Sequence, residues 1–193
     1  MATATELPTR PMSVEEFLAL PDDGMERMLI RGRLLQKPFL FRDRWHAAAE
    51  ANIAAILWSW LEAQPKPRRG MVYSGQGEFH LERNPDTIVG LDVAYVSPDS
   101  EANQSEDPRH FVGPPVLAVE ILSPSDKLEE ITAKVDCYLA AGVPLVWIVD
   151  PHFRTVTVHR PSVDPRMFSG AEELLGDPHL PGFRVAAARI FER

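Results

Sequence analysis

The chain has 193 residues, 45% of them apolar, which suits one domain with a sizeable core and leaves little room for a second. Its net charge of −8 argues against a protein that coats nucleic acid by charge alone, and its longest apolar stretch, residues 53–61, is too short to span a bilayer. The first ten residues contain no apolar signal segment, and the single cysteine, Cys137, cannot form an internal disulfide. We therefore expect residues 1–193 to form one cytoplasmic domain that does not enter a membrane.

The first half of the chain is predicted to contain two helices. Ser13, with Glu16 three residues later, forms a capping box for a short helix that ends at Pro21. Apolar residues at helical spacing predict a long helix over residues 44–63. The glycines of the Gly-Gln-Gly segment at 75–77 are expected to bend the chain between two strand pieces. Strands are predicted over 28–35 (with a turn at Gly32), 71–73, 77–81, 88–96, 116–122, 143–149 and 154–160.

A further helix is predicted over residues 126–141, with Asp126 and Glu129 as its capping box and Gly142 as its stop. Residues 97–114 are polar and without period, so they are expected to form a mobile or disordered loop. The order of strands and helices indicates an α/β domain in which helices flank a central mixed β-sheet.

Two acids interrupt strongly apolar strands. Asp92 lies in the middle of Val-Gly-Leu-Asp-Val-Ala-Tyr-Val, and Glu120 lies in the middle of Val-Leu-Ala-Val-Glu-Ile-Leu. A buried carboxylate is costly unless it is ion-paired or binds a metal. The pair therefore predicts one of two arrangements. The acids share a cation site, or each acid forms a salt bridge or lies at a strand end that is open to solvent. Oxygen ligands favour Mg²⁺ or Mn²⁺, and the histidines and single cysteine lack the spacing of a zinc site.

Basic residues and one histidine offer weaker signals. His46 and Glu50 share a face at the start of the long helix, where the histidine could contact a phosphate, orient Glu50 or simply pair with it. Two basic groups are read either as solvated loops or as arms of a phosphate-contacting surface. They comprise Arg27, Arg31, Arg33, Lys37, Arg42 and Arg44, and then Lys66, Arg68 and Arg69.

Several stretches, taken in order, resemble the Uma-two family of restriction-endonuclease-like proteins within the PD-(D/E)XK nuclease superfamily. These are SVEEFLALPDDG (13–24), LDVAYV (91–96), VEILSPSD (119–126), KVDCYLAAGVPLVWIVDP (134–151) and LPGF (180–183). The resemblance covers nearly the whole chain and implies a restriction-endonuclease-like core.

The resemblance also implies roles for single residues. Asp92, Glu120 and the main-chain carbonyl of Ile121 would hold the metal. The position that is usually lysine in the superfamily is Leu122 here, and Lys134 on the following helix matches its substitute in Uma-two relatives. The stem of Lys134 can lie along the sheet so that its ammonium reaches the site; otherwise it is a surface lysine at a helix edge.

The sequence departs from its relatives near the start. Many of them carry an acid in an early strand, where this chain has Met28 and Arg31. Glu26 lies two residues before Met28, hence on the same strand face, and could partly replace the missing acid.

The resemblance implies a Mg²⁺- or Mn²⁺-dependent endonuclease acting on DNA, with Asp92, Glu120, Lys134, His46 and Glu26 as candidate catalytic residues. Leu122 and Met28 favour the alternative of an inactive nuclease-fold protein that binds or regulates, and RNA is a third substrate hypothesis. A homodimer is expected from the apolar surface of the long helix and from its tryptophans, Trp58 and Trp60.

Overall fold

The computed structural model describes residues 10–39, 41–66, 69–106, 109–124 and 126–192. The segment 1–9, Arg68 of the second basic group and Ser125 of the VEILSPSD stretch lie outside these ranges. Within them the helices are α1 (Val14–Leu18), α2 (Arg44–Glu62), α3 (Pro98–Ala102), α4 (Leu128–Ala140) and a 3-10 helix over Ala187–Phe191. The strands are β1 (Met25–Ile30), β2 (Arg33–Pro38), β3 (Met71–Glu82), β4 (Thr87–Val96), β5 (Phe111–Val112), β6 (Leu117–Ile121), β7 (Leu145–Asp150), β8 (Thr155–Arg160), β9 (Val163–Ser169), β10 (Glu173–Leu175) and β11 (Arg184–Ala186).

The central sheet is mixed, as the sequence predicts. Its strands run in the order β2-β1-β4-β6-β7-β8-β9, and β3 pairs with β4 and with the short β5. Strands β6 and β7 are parallel because α4 crosses between them, whereas β1 and β2 form an antiparallel hairpin that turns at Arg31 and Gly32.

Two strands, β1 and β6, pair with successive parts of the same edge of β4, and we call the point where they diverge the fork of β4. One edge pairs with β3 along its length. The other edge pairs with β1 at Ile88 and with β6 from Val93 to Tyr95. Asp92 therefore lies where β1 and β6 diverge, and its carboxylate can reach the main chain of β6.

The two long helices cover opposite faces of the sheet. Ile53 and Leu57 of α2 pack in a core cluster with Val119 of β6. On the other face, Val135 of α4 packs in a cluster with Ala118, the preceding residue of the same strand. Alternation along β6 thus divides the core into two layers. None of the described helices is long and apolar enough to cross a membrane.

The start of α1 is confirmed and that of α4 is corrected. Ser13 and Glu16 form the expected capping box. Helix α4 begins at Leu128 with Lys127 as its N-cap, and no side chain caps it. The predicted capping box of Asp126 and Glu129 is wrong because the Asp126 carboxylate instead accepts hydrogen bonds from the amide and the hydroxyl of Ser123.

The expectation of a mobile or disordered loop over 97–114 is corrected at two places, Pro98–Ala102 and Phe111–Val112, which form a helix and a short strand. Ser97 caps α3, and Pro98 occupies the first turn, where a missing N–H costs nothing. Phe111 anchors β5, because its ring stacks on Phe79 at 4.6 Å and lies 4.4 Å from the ring of Tyr73. A helix cap and the packing of the partly buried Phe111 ring therefore give regular structure to parts of a polar segment.

A candidate metal centre at the strand fork

Asp92 is 3% exposed and is held by three elements. Its Oδ2 accepts a hydrogen bond from the main-chain N–H of Ile121 at 2.7 Å, and its Oδ1 accepts one from Gln76 Nε2 at 2.9 Å. Nε2 of His46 lies 3.5 Å from Oδ1. Burial acts to raise the pKa of Asp92, but the His46, Ile121 and Gln76 contacts outweigh it and lower the pKa. The carboxylate is therefore ionised at neutral pH.

A bulge in β3 delivers Gln76 to this site. The β3–β4 register shifts between Ser74 and Gly77, so Gly75 and Gln76 stand outside the ladder. Gln76 takes a φ of 64°, which is unfavourable for a residue with a side chain and is found mainly at constrained sites. The sequence predicts the bend at 75–77, but no signal in it predicts that Gln76 contacts Asp92.

The start of α2 supports the same site. Asp43 caps the helix by accepting from the N–H groups of Trp45 and His46 at 2.9 Å. His46 and Glu50 contact different partners instead of pairing with each other. His46 faces Asp92, while Glu50 accepts a hydrogen bond from the N–H of Gly75 at 2.7 Å. Helix α2 thus contacts both Asp92, through His46, and the β3 bulge, through Glu50.

Glu120 is 9% exposed and accepts from two side chains of α4. Lys134 Nζ donates to Oε2 at 2.9 Å, and the hydroxyl of Tyr138 donates to Oε1. Burial raises the pKa of Glu120 against the nearby Lys134 ammonium, and the charge of Asp92 adds to that rise. Burial acts to lower the pKa of Lys134, but the charge of Glu120 outweighs it and raises the pKa. Because both donors bond the carboxylate, this geometry favours the ionised pair.

The strand register brings the two acids together. Val93 of β4 is paired with Val119 of β6. One step further along this antiparallel register, Asp92 stands opposite Glu120. Opposite residues of antiparallel strands point to the same side of the sheet. The influence of the Asp92 charge on the pKa of Glu120 agrees with that closeness.

A cavity of about 350 Å³ opens beside Glu120 and Lys134. The β1–β2 hairpin lines its other side with Glu26 and Met28, which share a strand face as the alternation predicts. Leu122 also lines the cavity and presents an apolar side chain to it.

Several residues of the two basic groups form ion pairs or hydrogen bonds within the protein. Lys37 Nζ lies 3.3 Å from Asp126 and 3.7 Å from Glu26, and Arg42 lies 3.4 Å from Glu26. In the second basic group, Arg69 donates to main-chain carbonyls at the end of α2. Lys37 and Arg42 are therefore brought next to the centre, and Glu26 is their common partner.

The donor set fits a divalent cation that retains water ligands. In the described part of the chain no three His, Cys, Asp or Glu side chains are grouped so as to hold a metal. Mg²⁺ is commonly held by one or two carboxylates while it keeps several waters, and a carboxylate oxygen has a second lone pair beyond the one used here. Asp92 and Glu120 are two hard oxygen donors that could hold such an ion.

Comparison with known proteins agrees with the fold. No curated protein matches the chain. A solved chain described as a "putative nuclease belonging to DUF820 from Anabaena variabilis ATCC 29413" matches with a TM-score of 0.75 and 22% identity, over 94% of this chain and 98% of that one. This likeness confirms the expected α/β fold with its restriction-endonuclease-like core. The family model Uma2, described as "Putative restriction endonuclease", matches residues 14–188. The chain therefore belongs to the Uma2 family.

Proposed function

We propose that this protein is a Mg²⁺- or Mn²⁺-dependent endonuclease that hydrolyses DNA phosphodiester bonds. The observation that carries the proposal is the strand register that sets Asp92 opposite Glu120, together with the bond from Lys134 to Glu120. An acid pair with an adjacent ammonium is suited to phosphodiester hydrolysis, in which negative charge develops on the phosphate oxygens. The family description, restriction endonuclease, supports DNA as the substrate.

In this proposal Asp92, Glu120 and the main-chain carbonyl of Ile121 would hold the metal. When bound, the ion would polarise the phosphate and lower the pKa of a water. Lys134, which lines the cavity, stabilises the developing negative charge. Gln76 and His46 keep Asp92 oriented.

The role of Glu26 follows from its partners. It lies on the cavity wall and is ion-paired with Lys37 and Arg42. We assign it to holding these two cations at the rim, where they can contact phosphates of an incoming strand. Because the chain carries a net charge of −8, local cations rather than long-range attraction would bring the DNA to the site.

The direct test is cleavage of plasmid DNA by purified protein with Mg²⁺ or Mn²⁺, beside a matched RNA. We expect DNA to be cut, and Asp92→Ala, Glu120→Ala and Lys134→Met each to lower the rate at least about a hundredfold. A folded wild-type protein that cuts no DNA at any metal concentration would contradict the proposal. Preferential cleavage of the RNA would mean that RNA, not DNA, is the substrate.

A second candidate is an inactive nuclease-fold protein that binds or regulates. It is favoured because each carboxylate oxygen of the acid pair already has a partner inside the protein, and because Met28 and Leu122 replace polar residues. Calorimetric titration with Mn²⁺ distinguishes the two. Binding that is lost in Asp92→Asn supports the endonuclease, whereas a folded wild type that binds no metal supports the alternative.

We also propose a homodimer in the cytoplasm, formed through the exposed face of α2. Trp58 is 46% exposed on that face, near the exposed Ala51 and Ala55. Trp60 belongs elsewhere, because its indole N–H donates to the Pro181 carbonyl and its ring lies 5.1 Å from that of Tyr95. Sedimentation at micromolar concentration checks the proposal, and a monomer there would contradict it.

A further inference from the structure

Helix α4 contacts Glu120 twice, one helical turn apart. Lys134 donates to Oε2 and the Tyr138 hydroxyl donates to Oε1, so one helix holds both oxygens of the carboxylate. Residues four apart lie on one face of a helix, which is why the two donors arrive from the same side. Packing in the core accounts for the position of the Tyr138 ring but not for the bond that its hydroxyl donates to Glu120.

The two contacts differ in their freedom to move. Tyr138 is fully buried in the cluster that contains Ala118 and Val146, and its main-chain carbonyl accepts from the N–H of Val143. The side chain of Lys134 is 17% exposed and lines the cavity. Lys134 can therefore leave Glu120 by entering the cavity, whereas Tyr138 can leave only if the core opens.

We infer that Tyr138 is a positioning residue of the metal centre, which keeps Glu120 in place when Lys134 gives way to the cation. The inference rests on the proposed function. A divalent ion and an ammonium repel each other on one carboxylate, so the lysine must loosen its contact as the metal binds. The phenol carries no charge and its hydroxyl already donates to Oε1, so its bond to Glu120 does not set a second cation against the ion. Partners that orient a metal ligand in this way strengthen metal binding.

The test is calorimetric titration with Mn²⁺ of wild type, Tyr138→Phe, Lys134→Met and a control, Tyr73→Phe. The control removes the same hydroxyl from a comparable bond, because Tyr73 donates to Glu101 Oε1 at 2.8 Å away from the centre. We expect Tyr138→Phe to weaken Mn²⁺ binding about tenfold or more, and Tyr73→Phe to leave it unchanged. Lys134→Met is expected to bind as tightly as wild type or more tightly, because it removes the competing cation.

The outcomes separate the inference from the proposed function. Equal Mn²⁺ affinity in folded Tyr138→Phe and Tyr73→Phe would overturn the inference and leave the function standing. A folded wild type that binds no Mn²⁺ would overturn both. If Tyr138→Phe does not fold, Lys134→Met decides the matter, since a tenfold loss of affinity there would make the ammonium the group that positions Glu120.

Discussion

Glu120 carries a charge in the interior that depends on the donors of α4. A buried ion pair contributes little compared with apolar residues of the same shape, yet it is costly to break on one side only. Lys134 is the charged partner, at 2.9 Å, and both side chains are largely buried. The stability of the fold and the proposed chemistry therefore depend on the same contact.

We predict that Lys134→Met lowers the free energy of unfolding by about 3 kcal/mol, because it leaves the Glu120 charge buried without its cation. In a Glu120→Gln background the same change should cost less than about 1 kcal/mol, since no charge is left unpaired. Urea denaturation of the wild type, both single variants and the double variant measures the coupling. Additive effects, within about 0.5 kcal/mol, would contradict the pairing.

The residues of the centre differ in how visible they are in the sequence. Asp92 and Glu120 are conspicuous because an acid within an apolar strand requires a partner, and the family-like order points to Lys134. Tyr138 sits in an apolar stripe, where an aromatic residue is explained by packing alone. Gln76 reaches Asp92 only because β3 bulges, a feature that depends on strand register. Contacts made across register shifts cannot be predicted from local pattern.

At the scale of elements, the N-terminus of α2 links capping to the centre. The hydrogen bond from the N–H of His46 lowers the pKa of Asp43, against the effect of burial. Because the pKa is lower in the folded state, the stabilisation is complete above the unfolded pKa of about 3.9 and is lost as the pH falls below it. The cap thus stabilises the helix that carries His46 more at neutral pH than in acid.

We predict that Asp43→Ala lowers the free energy of unfolding by about 1 kcal/mol at neutral pH and by less at about pH 3. Asp43→Asn is the matched control, because asparagine caps a helix without charge. Urea denaturation at both pH values measures the difference. An Asp43→Ala loss that is the same at both pH values, or an equal loss in Asp43→Asn, would contradict this account of the cap.

The uncapped start of α4 can be improved. Lys127 is the N-cap in extended conformation, and Glu130 stands three residues later, so Lys127→Ser would create a capping box. We predict a gain of about 1 kcal/mol in the free energy of unfolding relative to Lys127→Ala. The comparison with alanine accounts for the loss of the exposed Lys127–Glu130 ion pair. Equal stability of the two variants in urea would show that serine does not cap this helix.

Elements with a strong period were predicted well and those fixed by tertiary contacts were not. Helix α2 and strand β4 lie within one residue of their expected bounds. Helix α4 starts two residues late because Asp126 bonds Ser123 instead of capping. Strands β9 to β11 were not predicted from the sequence. For β9 the reason is that the strand is largely exposed and is defined by its pairing with β8, not by an apolar period.

At the scale of the molecule, the fork of β4 is what the fold contributes to the centre. Strand β4 changes its pairing partner from β1 to β6 within a few residues. At that point the Asp92 carboxylate accepts a hydrogen bond from the Ile121 N–H. Helices on opposite faces then complete the site, with α2 supplying His46 and α4 supplying Lys134. Fold class and order of elements could be predicted from the sequence; this convergence needed the register of three strands.

The most direct test of the acid pair as a metal centre is an anomalous difference map from crystals grown with Mn²⁺. We predict one peak bound by the carboxylates of Asp92 and Glu120, with the Tyr138 hydroxyl still donating to Glu120. A map without a peak at either acid, in which Gln76 and Lys134 keep their present bonds to them, would contradict it.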